Sequence, residues 1–177
     1  MVYQPREDSH LLQEEIRKLA KDKSVLDLGS GSGIQARTAV VAGAKSVLAS
    51  DINQEAVNHL ISLGLYTIRS DLFSNIAGQF DLIIFNPPYL PEDRREDKQS
   101  SLTTSGGKRG DELTIKFLKE AKEHLTENGI ILLIVSSLTP KDKIFWTLHR
   151  QDFSKTVLSS KKLAFEELEV WKIMKNL

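Results

Sequence analysis

One stretch near the N-terminus limits the fold more than any other part of the chain. Residues 24–28, Ser-Val-Leu-Asp-Leu, have the apolar composition of a short buried strand. They lead directly into Gly-Ser-Gly-Ser-Gly at 29–33, and a helical segment over 34–42 follows, closed by Gly43. A strand, a glycine loop and a helix in this order open a nucleotide-binding α/β unit. The chain is therefore expected to fold around a parallel sheet.

The later segments continue this alternation of strands and helices, which predicts a doubly wound sheet with helices on both faces. We expect one α/β domain over residues 1–177, with seven mostly parallel strands in a Rossmann-like arrangement. Within it, residues 1–22 form an N-terminal segment and a helix, capped by Asp8 or Ser9, that packs on the core. The most apolar strand is expected at the centre, and the last two strands are expected to pair and to bring one antiparallel strand. The predicted strands are 24–28, 46–50, 65–68, 80–85, 130–135, 153–158 and 163–173, and the predicted helices are 34–42, 53–63, 111–127, closed by Asn128-Gly129, and 140–149.

The composition narrows the classes of function. Basic and acidic residues both number 24, so the formal net charge is zero, which makes a nucleic-acid backbone a less favoured partner. The chain has no cysteine, which excludes disulfides and thiolate zinc sites, and its four histidines lack ligand spacing, so no metal site is predicted. No segment approaches the roughly 20 apolar residues of a membrane span, and no signal segment is evident. A soluble, cytoplasmic protein is expected.

Polar residues follow the first four predicted strands. Asp27 precedes the glycine loop, Asp51 and Asp71 end the next two strands, and Asn86-Pro87-Pro88-Tyr89 follows the fourth. Ligands of open α/β sheets bind outside the carboxyl ends of the strands, so these residues should line one crevice. Asp51 stands about 20 residues beyond the loop, where an acid can accept ribose hydroxyls. The alternative interpretation is a tight glycine turn with Asp51 as a helix cap.

The Asn-Pro-Pro-Tyr segment predicts a rigid corner. Neither Pro87 nor Pro88 can donate a backbone hydrogen bond, and each proline restricts the residue before it. The Asn86 side-chain oxygen and the backbone carbonyls remain as acceptors, with the Tyr89 ring beside them. Such a corner suits a planar amino group. The alternative is a strand end closed by a proline pair.

These motifs together resemble those of class I S-adenosylmethionine-dependent methyltransferases, and in particular the HemK family of protein glutamine N5-methyltransferases. Tyr-Gln-Pro-Arg-Glu-Asp-Ser at 3–9 and Gly-Gly-Lys-Arg-Gly at 106–110 are similar to two further segments of that family. The chain resembles the family's short archaeal and eukaryotic branch. The resemblance implies S-adenosyl-L-methionine as cofactor, the Gly-Gly-Gln glutamine of a class I release factor as substrate, and a small zinc-binding activator related to Trm112, docked on the third strand.

The resemblance also implies a role for each matching residue. Ser9 and Gly29 contact the methionine end of the cofactor, Asp27 orders the glycine loop that includes Gly31, and Asp51 accepts from the ribose. Asp71 accepts a hydrogen bond from the adenine amino group, and the Leu72 amide contacts the adenine ring. Asn86 and the Pro87 carbonyl hold the target nitrogen close to the cofactor, with Tyr89 packed on its plane. Two alternatives stay open. One is an RNA or DNA amino-methyltransferase, which predicts a basic groove, whereas the basic residues of the 91–110 loop, such as Arg94, Arg95 and Lys98, are interleaved with acids. The other is a non-catalytic cofactor-binding or scaffold module.

Overall fold

The computed structural model describes residues 6–89 and 106–176. Helices and strands alternate through most of the described chain, as the sequence predicts, and the last two strands follow each other directly. The helices are α1 (Glu7–Leu19), α2 (Ile34–Val41), α3 (Gln54–Ser62), α4 (Glu112–Ala121) and α5 (Asp142–Arg150), and a 3₁₀ turn covers Lys122–His124. The strands are β1 (Ser24–Leu28), β2 (Ser46–Asp51), β3 (Thr67–Arg69), β4 (Phe80–Phe85), β5 (Leu125–Ser136), β6 (Phe153–Lys162) and β7 (Glu167–Lys175).

The strands form one sheet in the order β3-β2-β1-β4-β5-β7-β6. Neighbouring strands from β3 to β5 are parallel, and β7 is antiparallel to both β5 and β6. This confirms the doubly wound, mostly parallel sheet with one antiparallel strand. The middle strand is β4 and not the more apolar β5, so the prediction for the centre was wrong by one strand. The strand order reverses between β1 and β4, which places Asn86 beside the switch point where such sheets bind ligands.

The sheet is buried on both faces, which explains the apolar runs in its central strands. On one face, Leu26 and Phe85 belong to a core that includes Phe117 of α4 and Ile144 of α5. The opposite face packs against α1 and α2; its buried residues are Val25, Leu82, Ile84, Leu132 and Ile134 from the sheet and Leu12, Ile16 and Ala39 from the helices. The N-terminal helix is therefore part of a core layer.

The predicted helix over 111–127 is wrong at its C-terminal end. Helix α4 stops at Ala121, and β5 begins at Leu125, so Asn128-Gly129 lies inside a strand. The pairing of β4 with β5 shifts register at this point, which marks a bulge. A Cβ atom added to Gly129 would stand 2.7 Å from Leu125 Cγ and 3.0 Å from the Phe80 carbonyl oxygen. Gly129 therefore allows close packing at the bulge and does not end a helix.

The predicted cap of α1 is also wrong. The helix begins at Glu7, so Asp8 and Ser9 lie in its first turn, and Arg6 occupies the cap position without a side-chain hydrogen bond. Asp8 and Ser9 are only 3% and 2% exposed, because their side chains face the protein interior. Smaller shifts affect β3, β6, β7 and α5, whose bounds differ from the predicted ones by a few residues. Within the described ranges, no helix has the length and apolar character needed to cross a membrane.

Candidate functional site

The glycine loop after β1 takes a backbone shape that requires glycine. Gly29, Gly31 and Gly33 have φ angles of 64°, 50° and 78°, in the left-handed region. The Ser30 hydroxyl donates to the Asp27 carbonyl at 2.8 Å and accepts the Ser50 backbone N–H at 3.2 Å. The loop is thus tied to the ends of both β1 and β2.

The Asp27 carboxylate joins this loop to the first turn of α2. It is 2% exposed, and its Oδ2 accepts the Ala36 backbone N–H at 3.0 Å. Burial raises the pKa of Asp27 to about 7, against the opposing effect of the nearby Ser30 hydroxyl and of the hydrogen bond from the Ala36 N–H. Asp27 is therefore a buried carboxyl group that changes charge near neutral pH, immediately beneath the glycine loop.

Asp51 at the end of β2 supports the loop from the other side. Its Oδ2 accepts the Gly31 N–H at 2.9 Å, and its Oδ1 accepts the Asn53 N–H at 2.9 Å. The alternative interpretation of Asp51 as the helix cap is wrong, because the Asn53 side chain caps α3 by accepting from the Glu55 N–H. Each carboxylate oxygen has a second acceptor site beyond these bonds. The residue can therefore hold the loop and accept two hydroxyl groups at once.

Asp71 and Leu72 follow β3, beside the end of β2. The Ser70 N–H donates to the Asp51 carbonyl at 3.0 Å, which fixes the two strand ends side by side. The Asp71 carboxylate lies 3.2 Å from Lys116 Nζ of α4, and both side chains are about half exposed. Such an exposed ion pair contributes little to stability, so Asp71 can exchange Lys116 for another partner at little cost. Leu72 has a φ of 46°, a conformation that costs about 1–3 kcal/mol for a non-glycine residue and is typical of functional sites.

The corner after β4 holds Asn86 in one orientation. Asn86 Nδ2 donates to Asp8 Oδ2 of α1 at 2.9 Å. Asn86 Oδ1 is buried and has no hydrogen-bond partner among the residues that the structure describes. Leaving a buried acceptor unpaired costs about 1–3 kcal/mol, so the residue is held in a conformation that favours an incoming N–H donor. Pro87 beside it is buried as well.

The aromatic end of the corner is anchored and kept neutral. The Tyr89 carbonyl accepts from the Thr139 hydroxyl at 3.2 Å, and the ring is partly buried against the core layer that includes α1. Burial, followed by the nearby charges of Asp8 and Glu166, raises the pKa of Tyr89 above its usual value. The phenol therefore stays protonated throughout the neutral pH range and presents an uncharged ring.

The second glycine segment packs directly against this corner. A Cβ atom on Gly106 would stand 2.7 Å from the Pro88 carbonyl oxygen and 2.3 Å from that of Gly110. Only glycine fits at such a distance. The first residue of the Gly-Gly-Lys-Arg-Gly segment is therefore glycine because of close packing against the corner, which the sequence alone does not reveal.

The donors and acceptors fit a ligand with a nucleoside part and an amino-acid part. A glycine loop allows close approach of backbone, Asp51 has acceptor capacity for hydroxyls, and Asn86 has an unused acceptor. Comparison with known proteins decides the family. Residues 6–166 match the model of the methyltransferase small domain. The chain belongs to this family.

The similar proteins agree with this assignment. A Methanocaldococcus jannaschii protein, provisionally named a protein N5-glutamine methyltransferase, is 36% identical over 96% of this chain and 89% of its own length. The mouse methyltransferase HEMK2 is 26% identical over 99% of this chain and 90% of its own. The solved E. cuniculi Mtq2-Trm112 complex, responsible for methylation of the eRF1 translation termination factor, superposes with a TM-score of 0.81, at 25% identity over 99% of both chains.

The chain is thus an S-adenosylmethionine-dependent methyltransferase. The predicted residues of the glycine loop form one connected group: Asp51 bonds to Gly31, and Ser30 bonds to the Asp27 backbone. Ser9 of α1 is brought to the same region, because its carbonyl accepts from the Gln35 side chain of α2 at 3.0 Å. Asp71 stands apart in the described structure, with Lys116 as its charged partner.

Sequence reasoning missed one residue of this methyltransferase site. The sequence predicts Asp8 as a helix cap, whereas its carboxylate accepts a hydrogen bond from Asn86 Nδ2. A signal was present: Asp8, Leu12, Glu15 and Ile16 fall on one helical face, and a carboxylate on an apolar face needs a partner. Tyr3, Gln4 and Pro5 of the N-terminal motif, and Arg94, Arg95 and Lys98, lie outside the described residues.

Proposed function

We propose that this methyltransferase transfers a methyl group to the side-chain amide nitrogen of a glutamine, in the Gly-Gly-Gln motif of a class I release factor. The observation that carries the proposal is Asn86 Oδ1, which is buried and has no hydrogen-bond partner within residues 6–89 and 106–176. The names of the relatives support the substrate, since they include protein N5-glutamine and release factor glutamine methyltransferases. A substrate that acts in translation would place the reaction in the cytoplasm.

The corner supplies what an amide nitrogen needs in order to react. Asn86 Oδ1 and the Pro87 carbonyl accept the two N–H bonds, and the Tyr89 ring packs on the amide plane. Such alignment of reacting groups contributes up to roughly 7–11 kcal/mol in favourable cases. The two acceptors also stabilise positive charge that develops on nitrogen. When bound, the cofactor supplies the methyl electrophile: the N–C bond forms, the S–C bond breaks, and one N–H proton is released to water.

The remaining predicted residues are proposed to hold the cofactor. Ser9 and Gly29 border the amino-acid end, while Asp27 and Gly31 maintain the loop. Asp51 accepts the ribose hydroxyls. The Asp71 carboxylate would separate from Lys116 and accept a hydrogen bond from the adenine amino group. The strained backbone at Leu72 would direct its amide towards the ring.

Methyl transfer to defined acceptors tests the substrate. The purified enzyme is incubated with radiolabelled S-adenosylmethionine and one of three acceptors: a class I release factor, the same factor with Gly-Gly-Ala in place of Gly-Gly-Gln, or a stem-loop RNA. The proposal expects label in the intact release factor alone. Label in the altered factor would place the methyl group on another residue, and label in the RNA would favour the nucleobase alternative.

A second part of the proposal concerns a partner on the edge of the sheet. Strand β3 has three residues and lies at one end of the sheet, as the sequence predicts. Tyr66 just before it is 81% exposed, and Ile61 and Leu63 at the end of α3 are 56% and 37% exposed. Unpaired, apolar edges favour pairing with another chain. The similar E. cuniculi structure is a complex with Trm112, which supports a small Trm112-like protein, with zinc as its own structural metal, at this edge.

Co-expression tests the partner. A Trm112-like protein is expected to co-purify with the wild-type chain and to raise its activity. Tyr66→Asp should abolish co-purification, because it introduces a charge into the apolar edge. Trp146→Asp is the matched control, since this exposed aromatic residue lies on α5, which packs near the opposite edge strand β6. Equal loss of co-purification in both variants would contradict docking at β3.

A further inference from the structure

We infer that Asp8 is a positioning residue for methyl transfer, which fixes the Asn86 amide so that its oxygen is left as the acceptor for the target nitrogen, and which increases the negative charge on that oxygen. The inference rests on the proposed role of Asn86 in binding the target nitrogen. It assigns a function to a carboxylate that the sequence motif contains and that the proposed cofactor and substrate contacts leave unused.

The first step concerns the orientation of the asparagine. The two ends of an amide group look alike in size but differ in chemistry, since one donates and the other accepts. An ionised carboxylate only accepts, so at 2.9 Å from Asp8 Oδ2 the Asn86 amide must present its NH₂ group. Its oxygen then points away from Asp8. With the amide reversed, two oxygens would face each other and the acceptor would be lost.

The second step concerns the charge. A hydrogen bond to a charged acceptor is about twice as strong as a neutral one, and linked hydrogen bonds polarise one another. Donation from Nδ2 to the Asp8 carboxylate therefore makes Asn86 Oδ1 a stronger acceptor. The stronger acceptor stabilises the transition state more than the bound substrate, because positive charge develops on the target nitrogen only during transfer.

The third step separates this role from a role in folding. Asp8 is 3% exposed, so its carboxylate is largely removed from water, and the hydrogen bond from Asn86 Nδ2 ties this buried carboxylate to the corner. Glu15 lies on the same helix and is 4% exposed, and it accepts from Lys18 Nζ of that helix at 2.9 Å. The two carboxylates are alike in burial and in helix, and they differ in the donors that bond to them among the described residues.

Steady-state kinetics of four variants test the inference: Asp8→Asn, Asp8→Ala, Asn86→Ala and the double variant Asp8→Ala with Asn86→Ala, with Glu15→Gln as the control. Asp8→Ala is expected to lower kcat on the order of 100-fold, the usual effect of losing one preorganised contact, with little change in cofactor affinity. Asp8→Asn keeps an acceptor for Asn86 Nδ2 without the charge, so its kcat should fall between wild type and Asp8→Ala. Glu15→Gln should keep its kcat.

The double variant gives the decisive comparison. If Asp8 acts through Asn86, adding Asp8→Ala to the Asn86→Ala variant should change kcat by less than about twofold, which is the usual error of additivity. Losses that multiply, or an Asp8→Ala enzyme as active as Glu15→Gln, would overturn the inference and leave the proposed function in place. Full activity of Asn86→Ala itself would overturn both. If Asp8→Ala fails to fold in thermal unfolding, the same cycle with Asp8→Asn decides the question.

Discussion

At the scale of single residues, the two carboxylates beneath the glycine loop have different surroundings and different expected effects. Asp27 is enclosed by the loop and α2, whereas Asp51 is partly exposed and bonds to two backbone amides. Burial dominates at Asp27 and disfavours its charge. Asp51 instead combines support of the loop with spare acceptor capacity. Their substitution should therefore affect different measurable quantities.

Asp27 should make the stability of the enzyme depend on pH. Its pKa rises from 3.8 in the unfolded chain to about 7 in the fold, so its contribution is fully present below about pH 4 and is lost as the pH rises through 7. The full change amounts to about 4 kcal/mol. Urea unfolding of the ligand-free enzyme at pH 5 and pH 8 should show wild type losing more stability than Asp27→Asn. Equal pH dependence in the two proteins would contradict a buried, titrating Asp27.

Asp51 should matter more than Asp71 for cofactor binding. A hydrogen bond to a charged group contributes about 1.5–3 kcal/mol, so Asp51→Ala should weaken S-adenosylmethionine binding roughly 10- to 100-fold, and loosening of the loop adds to this. Asp71→Ala should weaken it less, because Asp71 is half exposed and must first leave Lys116. Isothermal titration calorimetry measures both. A larger effect at Asp71 would contradict the proposed arrangement.

At the scale of elements, α1 connects stability to the site. It packs on the sheet through Leu12 and Ile16, both 0% exposed, and its first turn carries Asp8 and Ser9. Gln13 also bonds to Thr38 of α2 at 2.7 Å. The helix therefore fixes the corner and the glycine loop relative to each other.

Truncating the buried face of this helix should destabilise the whole domain. Ile16→Ala removes a fully buried side chain, and such substitutions cost about 2–5 kcal/mol of unfolding free energy. Glu14→Ala on the exposed face is the control and should change stability by less than about 0.5 kcal/mol. Urea unfolding of both variants measures the difference. A similar value for the two would show that α1 does not belong to the folded core.

The elements that local sequence could predict are those whose signal is local. Strands β1 and β4 match their predicted bounds, because each is a short apolar run with a local stop signal after it, Gly29 for β1 and Asn86-Pro87 for β4. The end of α4 could not be predicted, since the role of Gly129 depends on its contact with Phe80 across the β4–β5 pair. The prediction for the start of α1 was wrong for a similar reason, because Asp8 is hydrogen-bonded to Asn86, a residue 78 positions away.

At the scale of the molecule, the strand order assembles the site from separate loops. Strands β3, β2, β1 and β4 are consecutive and parallel in the sheet, so the loops that follow them lie at the same end of these strands. The family and the enzyme class were also predicted and are confirmed. The roles of the individual site residues stay predictions. Sequence spacing could place these residues at the C-terminal ends of the strands, but it could not give the orientation of the Asn86 amide.

The most direct test of the account compares Asn86→Ala with wild type in two measurements made on the same protein. Single-turnover methyl transfer to a release factor reports the chemical step, and calorimetry reports binding of S-adenosylmethionine. The account predicts that the transfer rate falls on the order of 100-fold or more, as for loss of a preorganised contact, while cofactor affinity falls far less. An equal loss of rate and affinity, or an unchanged rate, would contradict the claim that this corner holds the target nitrogen.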